Sequence, residues 1–227
     1  PFQPALPTTG KQKVKRRDPG EVDLPTIPVT PLPYGSAREI LSRMQGEPVP
    51  SGWQGGLPFD YRLTGDRGLT VRLRIDQPKR LVRITDVVGT LVGSDFPDEW
   101  IVLGCHYDAW SFGAVDPNGG TAMLLTLAEA LGKVAGEDGH PPRRTIRIAH
   151  WDAEEYGIIG SSEWVEQFRD ELTEKAVAYI NADMSVSGPN FGGSSSPSLK
   201  GVIAAAARAV PYPGSDETVY ERWVPDP

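Results

Sequence analysis

Three stretches decide the fold: residues 100–108, WIVLGCHYD; residues 145–155, TIRIAHWDAEE; and residues 176–183, AVAYINAD. Each is a short apolar run that meets an acid or a histidine where it stops. Trp100–Leu103 is continuously apolar, as expected of a strand covered on both faces. Thr145–His150 and Ala176–Ile180 read as two further strands. Helical signals separate them: Met123, Leu124, Leu127, Leu131 and Val134 recur at helical spacing over Gly119–Val134. Trp164, Phe168 and Leu172 mark a second helix. Ser196-Pro197 then offers a cap and a proline at the first helical position, opening a helix through about Val210. Alternation of this kind predicts an α/β fold with right-handed crossovers and a mainly parallel sheet.

The same order gathers chemistry at one rim. His106 lies just after the first strand, Glu154-Glu155 just after the second and Asp183 just after the third. Open α/β sheets bind ligands outside the carboxyl ends of their strands, so groups far apart in sequence converge there. Asp116, in the loop between the first strand and its helix, belongs to that rim. Taken singly, a histidine after a strand or a Glu-Glu pair is an ordinary structural or solvated feature. Together they are not, because acids packed at one sheet edge repel unless a cation neutralises them. One imidazole and several carboxylates, with a glutamate to spare, form the donor set of a two-zinc hydrolase that keeps a position open for water.

Elsewhere the chain is less informative. Residues 1–35 are proline-rich and carry a basic run, Lys11, Lys13, Lys15, Arg16 and Arg17, which reads as a solvated loop. Ser36 and Glu39 have capping-box spacing and predict a short helix through about Met44. Leu69, Val71, Leu73 and Ile75 alternate with polar residues, predicting a half-buried antiparallel strand; residues 81–92 continue in extended, β-branched style. Thirty acids against 23 Lys and Arg give a formal charge of −7, which argues against a nucleic-acid partner. No apolar run approaches a membrane span and no signal peptide opens the chain, although a first residue that is proline rather than Met reads as a fragment or processed product. Cys105, the single cysteine, lies in an apolar strand and reads as a buried, inert thiol.

The strings GCHYDAWSFGAVDPNGG, IAHWDAEEYGIIGSSEW and AYINADMSVSG resemble the zinc peptidases that include glutamate carboxypeptidase and, as a non-catalytic relative, the transferrin receptor. The resemblance runs from about Leu24 to the end. It implies a three-layer zinc-peptidase fold, incomplete, with a mainly parallel central sheet. Residues 1–80 would be the end of a β-rich protease-associated (apical) domain with its linker, and residues 81–227 the first part of the peptidase domain. It also implies roles. His106 and Asp183 would hold one zinc, Glu155 the other, and Asp116 would bridge both. Glu154 would be the general base of a carboxypeptidase or dipeptidase, and Asp108 would accept the imidazole N–H and fix its tautomer. A cis Asp116-Pro117 bond would aim the bridging carboxylate. Glu163 and Glu166, one helical turn apart, would correspond to ligands of a structural Ca²⁺. The family further implies a peptide substrate, a homodimer in the full-length protein, and a secreted, periplasmic or membrane-anchored extracytoplasmic location.

This chain also departs from the pattern. Each zinc in the family has one histidine, yet only His140 and His150 remain besides His106, and neither matches the missing ligand. The 227-residue chain is therefore expected to bind metal weakly and to be inactive on its own. Residues 187–193, SGPNFGG, hold no arginine for a substrate carboxylate, so preference for a C-terminal glutamate does not carry over. Aminopeptidase action on the same zinc architecture and a receptor-like, non-catalytic module remain the alternatives.

Overall fold

A computed structural model describes residues 27–76, 78, 80 and 82–224. The basic run at 11–17 lies outside the described residues. Two compact units share the chain, dividing between Val82 and Arg83.

In the first unit a helix, α1, spans Tyr34–Leu41 with Pro33 at its N-cap and no side-chain cap. The capping box expected from Ser36 and Glu39 does not form, because the helix starts two residues before Ser36. Glu39 instead pairs with Arg43 one turn later, at 2.6 Å, and the helix ends at Leu41 rather than Met44. Residues 46–49 and 61–64 run antiparallel over a single bridge, Pro48 to Arg62, fastened by Val49 N–H to Tyr61 O at 3.1 Å and Leu63 N–H to Glu47 O at 2.8 Å. The strand expected at 69–76 is absent. Val71 and Leu73 stand 62% and 51% exposed. Alternation makes a strand only where a neighbour completes the ladder and covers the apolar side, and no described segment does so here.

The second unit is built on four strands: β1 (Val87–Leu91), β2 (Phe96–His106), β3 (Arg144–Trp151) and β4 (Ala176–Asn181). Their order in the sheet is β1-β3-β2-β4. The β2–β3 and β2–β4 pairs are parallel, while β1 lies antiparallel to β3. This is the mainly parallel α/β sheet that the sequence predicts. Side chains alternate across it. Cys105 faces the start of α2 (Asn118–Gly136), with its Sγ 3.7 Å from Pro117 O and 3.7 Å from Thr121 Oγ1. Trp151 faces the other way, its ring 5.1 Å from Trp164 on α3 (Ile159–Gln167). Trp100, Val102, Cys105, Leu124, Ala149 and Trp151 are buried and form the core. Burying a side chain such as Val102 or Leu124 contributes about 1.5–3 kcal/mol.

Two boundaries differ from expectation. The helix marked by Trp164, Phe168 and Leu172 is two helices, α3 and α4 (Arg169–Lys175), because Phe168 leaves helical geometry between them. Its ring nonetheless stays packed on Trp164, 5.5 Å away. Asp170 and Glu171 sit in the first turn of α4, where its positive end favours acids. Pro197 opens a single 3₁₀ turn, and α5 follows over Lys200–Ala209. Ser196 does not cap it; its hydroxyl bonds Ser198 Oγ at 3.0 Å. A last short helix, α6 (Val219–Trp223), has a complete capping box from Thr218 and Glu221. No described helix is long and apolar enough to cross a membrane.

One glycine fixes how close α2 comes to the end of β4. A Cβ on Gly120 would overlap the carbonyl oxygens of Ala182 and Asp183. Both obstacles are backbone, so neither moves cheaply. Gly120→Ala is expected to lower stability by about 1–3 kcal/mol in urea unfolding, as overpacking does.

Candidate metal centre

Register brings three strand ends to one level. His106, the last residue of β2, pairs with Trp151, the last of β3, and Gly104 pairs with Asn181, the last of β4. Two further backbone bonds carry the alignment past the strands: Tyr107 N–H to Trp151 O at 3.0 Å and Ala182 N–H to Gly104 O at 2.9 Å. Glu154 and Asp183 follow within three residues of their strands and so reach the imidazole from either side.

His106 is buried. Its Nδ1–H donates to the backbone carbonyl of Asp108 at 2.9 Å. Its Nε2 faces three acids: Asp116 Oδ1 at 2.9 Å, Asp183 Oδ1 at 3.1 Å and Glu154 Oε2 at 3.9 Å. Burial alone would disfavour a charged ring, but Asp183, the Asp108 carbonyl, Glu154 and Asp116 outweigh it and hold the His106 pKa above the ordinary imidazole value. Thr121 anchors the backbone beneath, donating its hydroxyl to His106 O at 2.7 Å. The Asp116–Pro117 bond is cis, as the sequence reading proposed.

These atoms fit a cation. With Nδ1 committed as a donor, a neutral ring points the Nε2 lone pair at carboxylate oxygens, which repels unless a proton or a metal lies between. His106, Asp116 and Asp183 each offer one ligand atom, all within 4.8 Å of one another. Asp183 Oδ1 is also buried with no hydrogen-bond donor, an orphan that a metal would satisfy. One nitrogen with carboxylate oxygens is a zinc donor set. Glu155 does not join this group. Neither do His140, in the segment between α2 and β3, or His150, whose two ring nitrogens are buried on β3 without partners. Glu163 and Glu166 both lie on α3, outside the cluster.

Asp108 does receive the imidazole N–H, but on its backbone carbonyl, which frees its side chain for another task. Its carboxylate is 3.5 Å from Nδ1 and is not the imidazole's acceptor. It accepts instead the backbone N–H groups of Glu154 at 2.9 Å and Glu155 at 3.3 Å. A carboxylate that close to two N–H donors is better satisfied there than by a ring already bonded to the carbonyl. The turn it holds depends on Ala153, which adopts a left-handed conformation at φ 55°. This corner follows β3 directly and turns Glu154 toward the ring. Nothing in the sequence marks it, since glycine or asparagine is the usual signal. Burial pushes the Glu154 carboxyl upward in pKa, partly opposed by His106 and reinforced by Glu155, Asp183 and Asp108. A cavity of about 720 Å³ opens beside the cluster, with His106, Glu154 and Asp183 on its wall among apolar side chains such as Trp151, Trp164 and Val165. The Cys105 thiol, by contrast, is buried, and burial pushes its pKa up, which suits an inert group.

The family profile described as "Peptidase family M28" matches residues 86–221. A "Glutamate carboxypeptidase 2 homolog" of Caenorhabditis briggsae is 38% identical over 234 residues, covering 99% of this chain and 30% of that protein. "Aminopeptidase NAALADL1" of Mus musculus is 35% identical over 235 residues, covering 99% of this chain and 31% of its own length. Among solved structures, a "Peptidase M28 precursor" from Shewanella amazonensis aligns with 25% identity and a TM-score of 0.42, over 54% of this chain and 27% of that one. The chain thus spans less than a third of the length of these relatives.

Removing the Asp108 carboxylate leaves two N–H groups without their acceptor. Asp108→Ala is expected to cost about 1–3 kcal/mol. It should also speed hydrogen exchange at the Glu154 and Glu155 amides more than elsewhere in the sheet, as read by NMR.

Proposed function

The chain belongs to peptidase family M28, and from that premise we propose that it supplies the first part of a two-zinc exopeptidase that hydrolyses a terminal peptide bond. One observation carries the reading: His106 Nε2, an Asp116 oxygen and an Asp183 oxygen lie within 4.8 Å of one another. In this proposal His106 and Asp183 would hold one zinc, Asp116 would serve both, and Glu155 would serve the second. Support for a calcium at Glu163 and Glu166 is confined to their shared place on α3, and nothing else depends on it.

When bound, zinc supplies a Lewis acid that lowers the pKa of water and draws charge from the peptide carbonyl. The chain's own residues do the rest. Asp108 fixes the imidazole through its carbonyl and the Glu154–Glu155 turn through its carboxylate, so both ends of the site share one brace. Glu154 takes a proton from water and returns it to the leaving amine. A carboxyl whose pKa is raised by burial suits that double duty better than a fully solvated one.

Relatives are named both carboxypeptidase and aminopeptidase, and the terminal bond is what the two activities share. Carboxypeptidase or dipeptidase action is the reading we favour, aminopeptidase action the second. The absence of arginine from residues 187–193 removes the reason to expect an acidic side chain in the substrate.

Zinc titration of this chain should give one equivalent, lost in His106→Ala; two tight equivalents would contradict the missing second imidazole. Zinc and proton compete for Nε2. Because the His106 pKa is raised above 6.5, the ring is increasingly protonated below that raised value, and zinc affinity should fall as pH drops through it. In the protein at its relatives' full length, Glu154→Gln should keep zinc and lose about 10²–10⁴-fold in kcat, the usual contribution of a general base.

A further inference from the structure

The glutamate pair is held from a second direction. The segment before β1 and the residue after β3 exchange hydrogen bonds. Asp152 N–H donates to Asp86 Oδ1 at 2.9 Å, and Thr85 N–H donates to Asp152 Oδ2 at 2.9 Å. Register accounts for the meeting: Val87 pairs with His150, so Asp86 arrives beside the residues that leave β3. The other Asp152 oxygen receives Ala153 N–H at 2.8 Å. Left-handed Ala153 therefore lies between two clamps, Asp86 on the residue before it and Asp108 on the residue after it. Alanine does not hold that backbone angle by preference, so both neighbours must be fixed for the corner to persist. Thr85 is tied in turn to the strand of the imidazole, its carbonyl receiving the Tyr107 hydroxyl at 2.6 Å. Burial, reinforced by Asp152, pushes the Tyr107 phenol up to about 12, so it remains the donor this bond needs. All of these bonds run within the second unit.

Space is kept for the contact and charge runs against it. A Cβ on Gly160, in the first turn of α3, would overlap the Asp86 carboxylate and the Asp152 carbonyl. Burial raises the Asp86 pKa, the Asp152 N–H lowers it in part, and the Asp152 charge raises it again. Two acids so placed cost stability, and what they secure is the direction of the corner that carries Glu154. We propose that Asp86 is a positioning residue for Glu154, fixing the Asp152 amide so that the general base keeps its place beside the His106 ring. This rests on the peptidase reading and extends it to a residue outside the metal cluster.

The test is a double-mutant cycle on kcat in the protein at its relatives' full length. Misplacing a reacting group by about 1 Å can cost about 10²-fold, so Asp86→Ala is expected to lower kcat about ten- to a hundredfold with KM unchanged. Asp86→Asn, which keeps an acceptor for the Asp152 N–H, should stay within about threefold of the parent. In a Glu154→Gln background Asp86→Ala should cost less than about twofold, because the base through which it acts is gone. Should Asp86→Ala not fold, Asp86→Ser is read in the same cycle. In this chain alone, Asp86→Ala should keep zinc affinity within about twofold, while hydrogen exchange at the Asp152 amide quickens about tenfold. An equal loss in both backgrounds, an unchanged kcat, or zinc lost in step with activity overturns the positioning role. Full activity in Glu154→Gln overturns the base reading itself, and the positioning role falls with it.

Discussion

Asp108 is the residue on which the site's geometry depends. Its carbonyl receives the imidazole N–H and its carboxylate receives two amides from the far loop. One residue therefore sets the direction in which His106 presents Nε2 and the position of the glutamate pair opposite. The two loops leave different strands and have no covalent reason to agree. Charge-assisted hydrogen bonds, roughly twice as strong as neutral ones, bring them into register.

Around that brace the sheet does the rest by length. Because β2, β3 and β4 pair in parallel and stop within two residues of one another, their next few residues are brought onto one edge. Gly120 lets the first turn of α2 lie against the Ala182–Asp183 backbone. Asp116, just before that helix, arrives beside Asp183 for the same reason. The result is a buried ring with carboxylate oxygens at 2.9 and 3.1 Å, an arrangement that calls for positive charge at its centre.

Much of this was legible as letters. Apolar runs ending in His106, Glu154-Glu155 and Asp183 placed the strands and the rim, and the helix at Gly119–Val134 differs from α2 by a residue or two at each end. What was not legible has a physical cause in each case. The sequence names Asp108 as the acceptor but cannot say which of its oxygens takes the imidazole; it is the backbone one. Alternation at 69–76 resembles a strand because it records a local pattern, whereas a strand needs a neighbour. Phe168 keeps its helical spacing to Trp164 and Leu172 while its backbone breaks the helix. The bond from Asp152 N–H to the Asp86 carboxylate joins residues 66 apart in sequence, a distance that no local pattern spans.

Ala153 shows where such a site is fragile. It is buried and left-handed at once, a combination that excludes most of the amino-acid alphabet. Branched residues adopt the angle only at a cost, as Ile158 does nearby at φ 58°. Glycine would relax the corner but loosen the unfolded chain, so its two effects oppose each other. The position of the glutamate pair thus rests on the backbone angle of a small residue that is not among the metal ligands.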